Sequence, residues 1–123
     1  MRNANFCMIV ATKKLLLDVC EAGESILENT TGKSLAEYSR SRLLRRAVER
    51  EFEIIGEALK RLAEVDPVTA ASVSQLRRII DFRNRIIHGY DTVDDTVVWG
   101  VAEQSLPTLI REVTVLLEME ETK

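Results

Sequence analysis

The strongest constraint on this chain is the recurrence of apolar residues every three or four positions through four long stretches. Nowhere does the two-residue alternation of a half-buried strand hold for long, so the period is that of helices packed by one face. The first stretch covers roughly 6–28, with Ile9, Leu16, Val19, Cys20, Ile26 and Leu27 on its stripe; Asn29, Thr30, Thr31 and Gly32 end it. A connector, KSLAEYSRS, offers Leu35 and Tyr38 as anchors. The second helix is expected over 41–64, striped by Leu43/Leu44, Ala47/Val48, Ile54/Ile55, Ala58/Leu59 and Leu62. Gly56 lies inside it, where glycine costs about 1 kcal/mol relative to alanine. Close approach of a second backbone would account for it, and so would simple tolerance.

Asp66-Pro67 breaks the chain. A third helix then starts between Thr69 and Ser74 and carries Val73, Leu76, Ile79, Ile80, Ile86 and Ile87 up to Gly89, a natural stop. Asp91, Thr92 and Asp94 offer caps for a fourth helix over 95–119, which Pro107 should kink or split. The expected fold class is all-α: an antiparallel four-helix bundle, with residues 1–123 forming a single domain.

Composition narrows the function classes. With 46% hydrophobic and 30% charged residues, the chain suits a soluble helical protein. No stretch approaches the ~20 uncharged apolar residues of a membrane span. Lys13 and Lys14 cut the short apolar run near the N-terminus, which argues against a signal peptide and for a cytoplasmic protein with no membrane association. Cys7 and Cys20 read as thiols in a reducing compartment, and with one histidine they make an intrachain metal centre or other cofactor unexpected. Net charge is −3, too acidic to coat nucleic acid by bulk attraction. The charge is uneven, however. Between Arg40 and His88 there are eleven Lys/Arg against seven acids, a local surplus of four on a chain acidic elsewhere. A local phosphate-binding groove and an ordinary solvated helix face both fit that surplus.

The segment FRNRIIHGYD, residues 82–91, holds the single histidine. Leu76, Ile79/Ile80, position 83, Ile86/Ile87 and position 90 form one helical stripe, and position 83 is arginine. A guanidinium in a core seam is costly unless acceptors satisfy it. Either Arg83 pairs with a carboxylate from the second helix, Glu53 or Glu57, or the seam opens there into a groove where its planar fork meets a phosphate. Asn84 and Arg85 lie four and three residues before His88, on one helix face with it. Histidine as a residue type suits the movement of protons during phosphodiester cleavage, although a lone histidine at a helix C-terminus also serves as a cap. Residues five apart are separated by about 140° on an ideal helix. Arg83 and His88 therefore converge only if the helix unwinds before Gly89, if the arginine reaches round, or if a second chain contributes. Cleavage through the 2′-hydroxyl uses both a base and an acid, and a symmetric dimer would supply two imidazoles, although Tyr90 or water would also serve in the second role. Tyr90 reads either as a hydrogen-bonded core aromatic or as an exposed phenol open to covalent modification.

RNRIIHGY resembles the Arg-x4-His-x-Tyr signature of the HepT-like branch of the HEPN superfamily. The resemblance extends to EFEIIGEALKRLAEVDP (51–67) and to YDTVDDTVVWGVAEQSLPTLI (90–110), about two thirds of the chain; the first forty residues match in helical character only. It implies a helical homodimer that brings two Arg/His motifs to one cleft and cleaves RNA, tRNA or mRNA, without metal. It implies the toxin role in a type VII-like toxin–antitoxin module. The partner would be an MntA-like nucleotidyltransferase that uses ATP to place AMP on the motif tyrosine. Carried onto this chain, Arg83 and His88 would be catalytic, Tyr90 the AMP acceptor, and Asn84 and Arg85 supports for substrate phosphate. AMP on Tyr90 would add bulk and negative charge beside the groove. Two other classes stand beside the ribonuclease: a non-catalytic subunit that binds the nucleotidyltransferase or nucleotide through the same groove, and a plain helical adaptor.

Overall fold

The computed structural model describes residues 9–88 and 94–121. Among them every regular element is a helix: α1 (Val10–Thr30), α2 (Leu35–Arg40), α3 (Arg42–Val65), α4 (Pro67–Ala70), α5 (Leu76–Ile87), α6 (Asp95–Gly100), a π-helical turn (Val101–Ser105) and α7 (Leu106–Glu121). The four long rods run antiparallel. At the start of α1, the Thr12 hydroxyl donates to Asp66 at the end of α3, 3.0 Å away. Cys20 lies 3.7 Å from Thr114 while Gly23, further along α1, faces Ile110 and Leu106, so α1 and α7 run in opposite senses. The chain entering α5 is fixed to α7, where Ser74 donates its N–H (2.9 Å) and hydroxyl (2.7 Å) to the Glu112 carboxylate. The expected four-helix bundle is the observed one.

The core is built largely from the stripes read from the sequence, joined by Phe52 and Leu109, while Ile9, Leu43 and Ile87 of those stripes are exposed. Leu16, Phe52, Ile55, Leu59, Ile79 and Leu109 are fully buried. Each contributes about 1.5–3 kcal/mol relative to an exposed side chain. Phe52 of α3 meets Phe82 of α5 edge-on, with ring centroids 5.1 Å apart. That geometry suits the ring quadrupoles and clamps the middle of α3 to the end of α5.

Three local departures have physical reasons. The connector is a helix, α2, because Ser34 and Glu37 form a reciprocal capping box: the Ser34 hydroxyl accepts from the Glu37 N–H and the Glu37 carboxylate accepts from the Ser34 N–H. These hydrogen bonds hold the Glu37 carboxyl below its usual range. Tyr38, fully buried, then packs on Trp99 with centroids 5.4 Å apart, docking α2 onto α6. The third helix arrives in two pieces. Asp66 caps α4, with Pro67 at its first position, and α5 begins only at Leu76. The last helix is divided just ahead of Pro107, by a π-helical turn and not by a break in the helical backbone. The turn before it widens, Leu106 donating to Val101 five residues back, and the backbone stays helical through Gly100, Val101 and Leu106. Such a π turn accommodates a residue that has no N–H to give.

Replacing Phe52 by alanine removes the α3–α5 clamp. It should destabilise the protein by about 3–5 kcal/mol in urea unfolding. A loss below about 1 kcal/mol would contradict this core.

Candidate functional site

Arg83 sits where the stripe predicts, facing α3, and Gly56 makes room for it. A Cβ built on Gly56 would fall 2.2 Å from Arg83 Cβ and 2.4 Å from its Cγ. Those distances are far inside van der Waals contact, so only glycine lets the arginine stem lie against α3. The guanidinium is then held at both sides. One terminal nitrogen donates to Glu57 of α3 and the other to Asn84 Oδ1, 2.9 Å away. Its Nε–H is buried and has no acceptor among the described residues. A guanidinium has five N–H donors, so two terminal donors remain uncommitted. The arginine side chain is only 15% exposed, whereas the Glu57 side chain is 59% exposed. Both readings of Arg83 thus hold in part: a carboxylate pairs with it, Glu57 and not Glu53, and the seam also opens into a cleft.

That cleft has a volume of about 530 Å³ and lies across α1, α3 and the end of α5. Arg83 and Ile87 line it, with Arg50, Glu53, Glu57 and Arg61 of α3 and Lys14 and Asp18 of α1. Its charges are largely paired: Lys14–Asp18 at 2.9 Å, Arg50–Glu53 at 3.2 Å, and Arg83–Glu57. Arg61 has no carboxylate partner among the described residues, which leaves the lining with one cation in excess. Lys14, Asp18, Arg50 and Arg61 were not singled out from the sequence. The spacing of 50, 54, 57/58 and 61 along one helix face was the available signal, joined by the i,i+4 pair at 14 and 18.

His88 is exposed and forms the C-terminal cap of α5, its N–H donating to the Asn84 carbonyl at 2.9 Å. It is not part of the cleft lining. The helix does not unwind before it, since α5 is regular to Ile87. Arg83 does not reach round either, because its guanidinium is pinned between Glu57 and Asn84. Asn84 is half-buried and oriented by that contact. Arg85 is exposed and lines a different groove, about 480 Å³, with Arg78, Asp81, Thr96, Gly100 and Gln104. The structure therefore joins Arg83 with Asn84 and parts both from Arg85. Tyr90 lies outside the described residues, as do Gly89, Asp91 and Thr92. Asp94 caps α6 as expected, accepting from the Thr96 N–H at 2.8 Å.

Comparison with known proteins adds an independent line. A family model described as "Ribonuclease HepT-like" matches residues 19–116. A protein of Thermococcus cleftensis named "Probable ribonuclease HepT" is 32% identical over 79% of this chain and 87% of its own length. A "Putative RNase" of Methanocaldococcus jannaschii is 27% identical over 85% of this chain and 94% of its own. Another of that name, from Caldanaerobacter subterraneus, is 30% identical over 79% and 86% respectively. No solved structure gives a significant match.

Two of the helical glycines, Gly56 and Gly100, provide an internal contrast. Gly56→Ala should destabilise the protein by about 1–3 kcal/mol, because α5 has to move off α3. At Gly100 a Cβ meets nothing within 4 Å, so Gly100→Ala should stabilise by about 0.5–1 kcal/mol. Paired thermal or urea melts check the sign. Equal effects would contradict the close seat of Arg83.

Proposed function

The chain belongs to the HepT-like ribonuclease family, and from that premise we propose that it is the RNA-cleaving toxin of a toxin–antitoxin module. The observation that carries the reading is Arg83. A cation is held in an otherwise apolar seam, at the edge of a cleft, with donors left over for a phosphate. The reaction proposed is endonucleolytic. The RNA 2′-oxygen bonds to phosphorus, the bond to the 5′-oxygen breaks, the proton of the 2′-hydroxyl passes to a base, and an acid protonates the departing oxygen. No electron changes hands and no metal is needed. Arg83 stabilises the charge that accumulates on the phosphoryl oxygens. His88 serves as base or acid.

Within one chain His88 stands outside the cleft that Arg83 lines, which supports a homodimeric site with two Arg/His motifs facing one strand. The second imidazole supplies the other proton-transfer group. Asn84 orients Arg83 directly, whereas Arg85, on the neighbouring groove, suits a phosphate further along the strand. The regulator proposed is an MntA-like nucleotidyltransferase that moves AMP from ATP to Tyr90, adding negative charge two residues from His88. The substrate class proposed is tRNA or mRNA.

The decisive assay is purified protein with total RNA in the presence of EDTA. Wild type should cleave and His88→Ala should not, with the same oligomeric state for both. Equal cleavage by the variant would assign the activity to a contaminant and favour a non-catalytic binding subunit. Arg83→Lys retains charge but loses the two-pronged fork, and should lower kcat by about tenfold or more. For regulation, intact mass after incubation with the cognate transferase and ATP should rise by AMP. Tyr90→Phe should abolish the gain, and a phenylalanine variant that gains the same mass would exclude Tyr90 as acceptor.

A further inference from the structure

The basic surplus in the middle of the chain is only partly used by the cleft. Five arginines, Arg40, Arg42, Arg45, Arg46 and Arg50, lie within eleven residues that contain a single acid, Glu49. Arg42, Arg46 and Arg50 are all exposed and succeed one another at four-residue steps on α3. That spacing places them in a row on one face, about 6 Å apart along the axis, comparable to the separation of neighbouring phosphates in an extended single strand. The row has a direction: Arg50, its last member, lines the same cleft as Arg83.

We propose that the Arg42–Arg46–Arg50 ridge is a track along which the backbone of single-stranded RNA runs into the cleft. The inference rests on the ribonuclease reading and goes beyond it by assigning the path of the strand away from the scissile bond. Arg46 and Arg50 are engaged by Glu49 at 3.3 Å and Glu53 at 3.2 Å, with 62% and 70% of the two arginine side chains exposed. Exposed pairs of this kind contribute little, so exchanging a carboxylate for a phosphate costs little.

A single strand is favoured over a duplex by what borders the row. Leu43 is 83% exposed beside Arg42, and with Leu44 and Ala47 it lines a hollow of about 390 Å³. An unstacked base can lie on that apolar surface while its phosphates face the arginines; a duplex keeps its bases from it. Lys33 and the second amide N–H of Asn29, whose Nδ2 also donates to the Ser25 carbonyl, offer donors to a base edge in the hollow, and the Glu37 carboxylate offers an acceptor.

The test measures binding of fluorescent single-stranded RNA, a 12-mer and a 3-mer, to His88→Ala protein with and without Arg42→Gln/Arg46→Gln. Arg111→Gln, on α7, is the control for loss of an exposed arginine away from the ridge. The double variant should bind the 12-mer about tenfold or more weakly, with a log–log salt slope shallower by about 1.4 for two lost phosphate contacts. The 3-mer and the Arg111→Gln control should be unaffected. Unchanged 12-mer affinity and slope would overturn the track while leaving the ribonuclease reading intact. RNA cleavage absent even from the wild type would instead remove the ribonuclease reading itself. Unchanged RNA affinity with lost transferase binding would reassign the ridge to protein recognition and overturn the track.

Discussion

The contact of Arg83 with Gly56 governs how the rest of the bundle can be arranged. A charged side chain enters the seam between α3 and α5 only because residue 56 has no Cβ, and the edge-on pair Phe52–Phe82 fixes the two helices at that depth. Once seated, the guanidinium cannot swing freely: Glu57 and Asn84 hold its ends. One buried donor, Nε–H, is left without an acceptor among the described residues, a cost of about 1–3 kcal/mol. A fold selected for stability alone would have an aliphatic residue here, since a seam packs more favourably without a charge. The expense is understandable if the arginine is kept for chemistry.

The same seat is what the proposal that one chain supplies half of a site starts from. Pinning Arg83 toward α3 commits it to the cleft shared with α1, while the regular turn of α5 carries His88 to the exposed helix end. Glu57 is well placed to modulate the arrangement. Its carboxylate is mostly exposed, so it neutralises Arg83 in the free protein and can be displaced by a phosphate with little desolvation cost. The paired charges lining the cleft keep it from attracting anions indiscriminately, in keeping with a chain of net charge −3.

Much of this was legible in the sequence, for reasons that differ from residue to residue. The helix stripes were plain because the 3.6-residue period is written by bulky aliphatics, as at Ile55, Leu59 and Leu62. Arg83 stood out because it occupies an apolar position, and its partner was among the two carboxylates that geometry allowed. Other features were hidden. The Ser34/Glu37 capping box was present in KSLAEYSRS, but so short a helix has little period to read. The π turn before Pro107 is a backbone response that no side-chain pattern records. The contribution of α1 to the cleft, Lys14 and Asp18, depends on which face of a distant helix meets α3, and that is decided by tertiary packing.

The central claim is that two copies of the chain together assemble the cleaving site. It is tested most directly by mixing two inactive variants, Arg83→Ala and His88→Ala, refolding them together, and isolating the heterodimer through different affinity tags. A shared cleft leaves that heterodimer one intact arginine and one intact histidine around the same strand, with water in place of the second imidazole. RNA cleavage should therefore reappear, below wild type but above either parent variant, each of which lacks one of the two residue types altogether. A purified heterodimer as inactive as its parents would contradict the account.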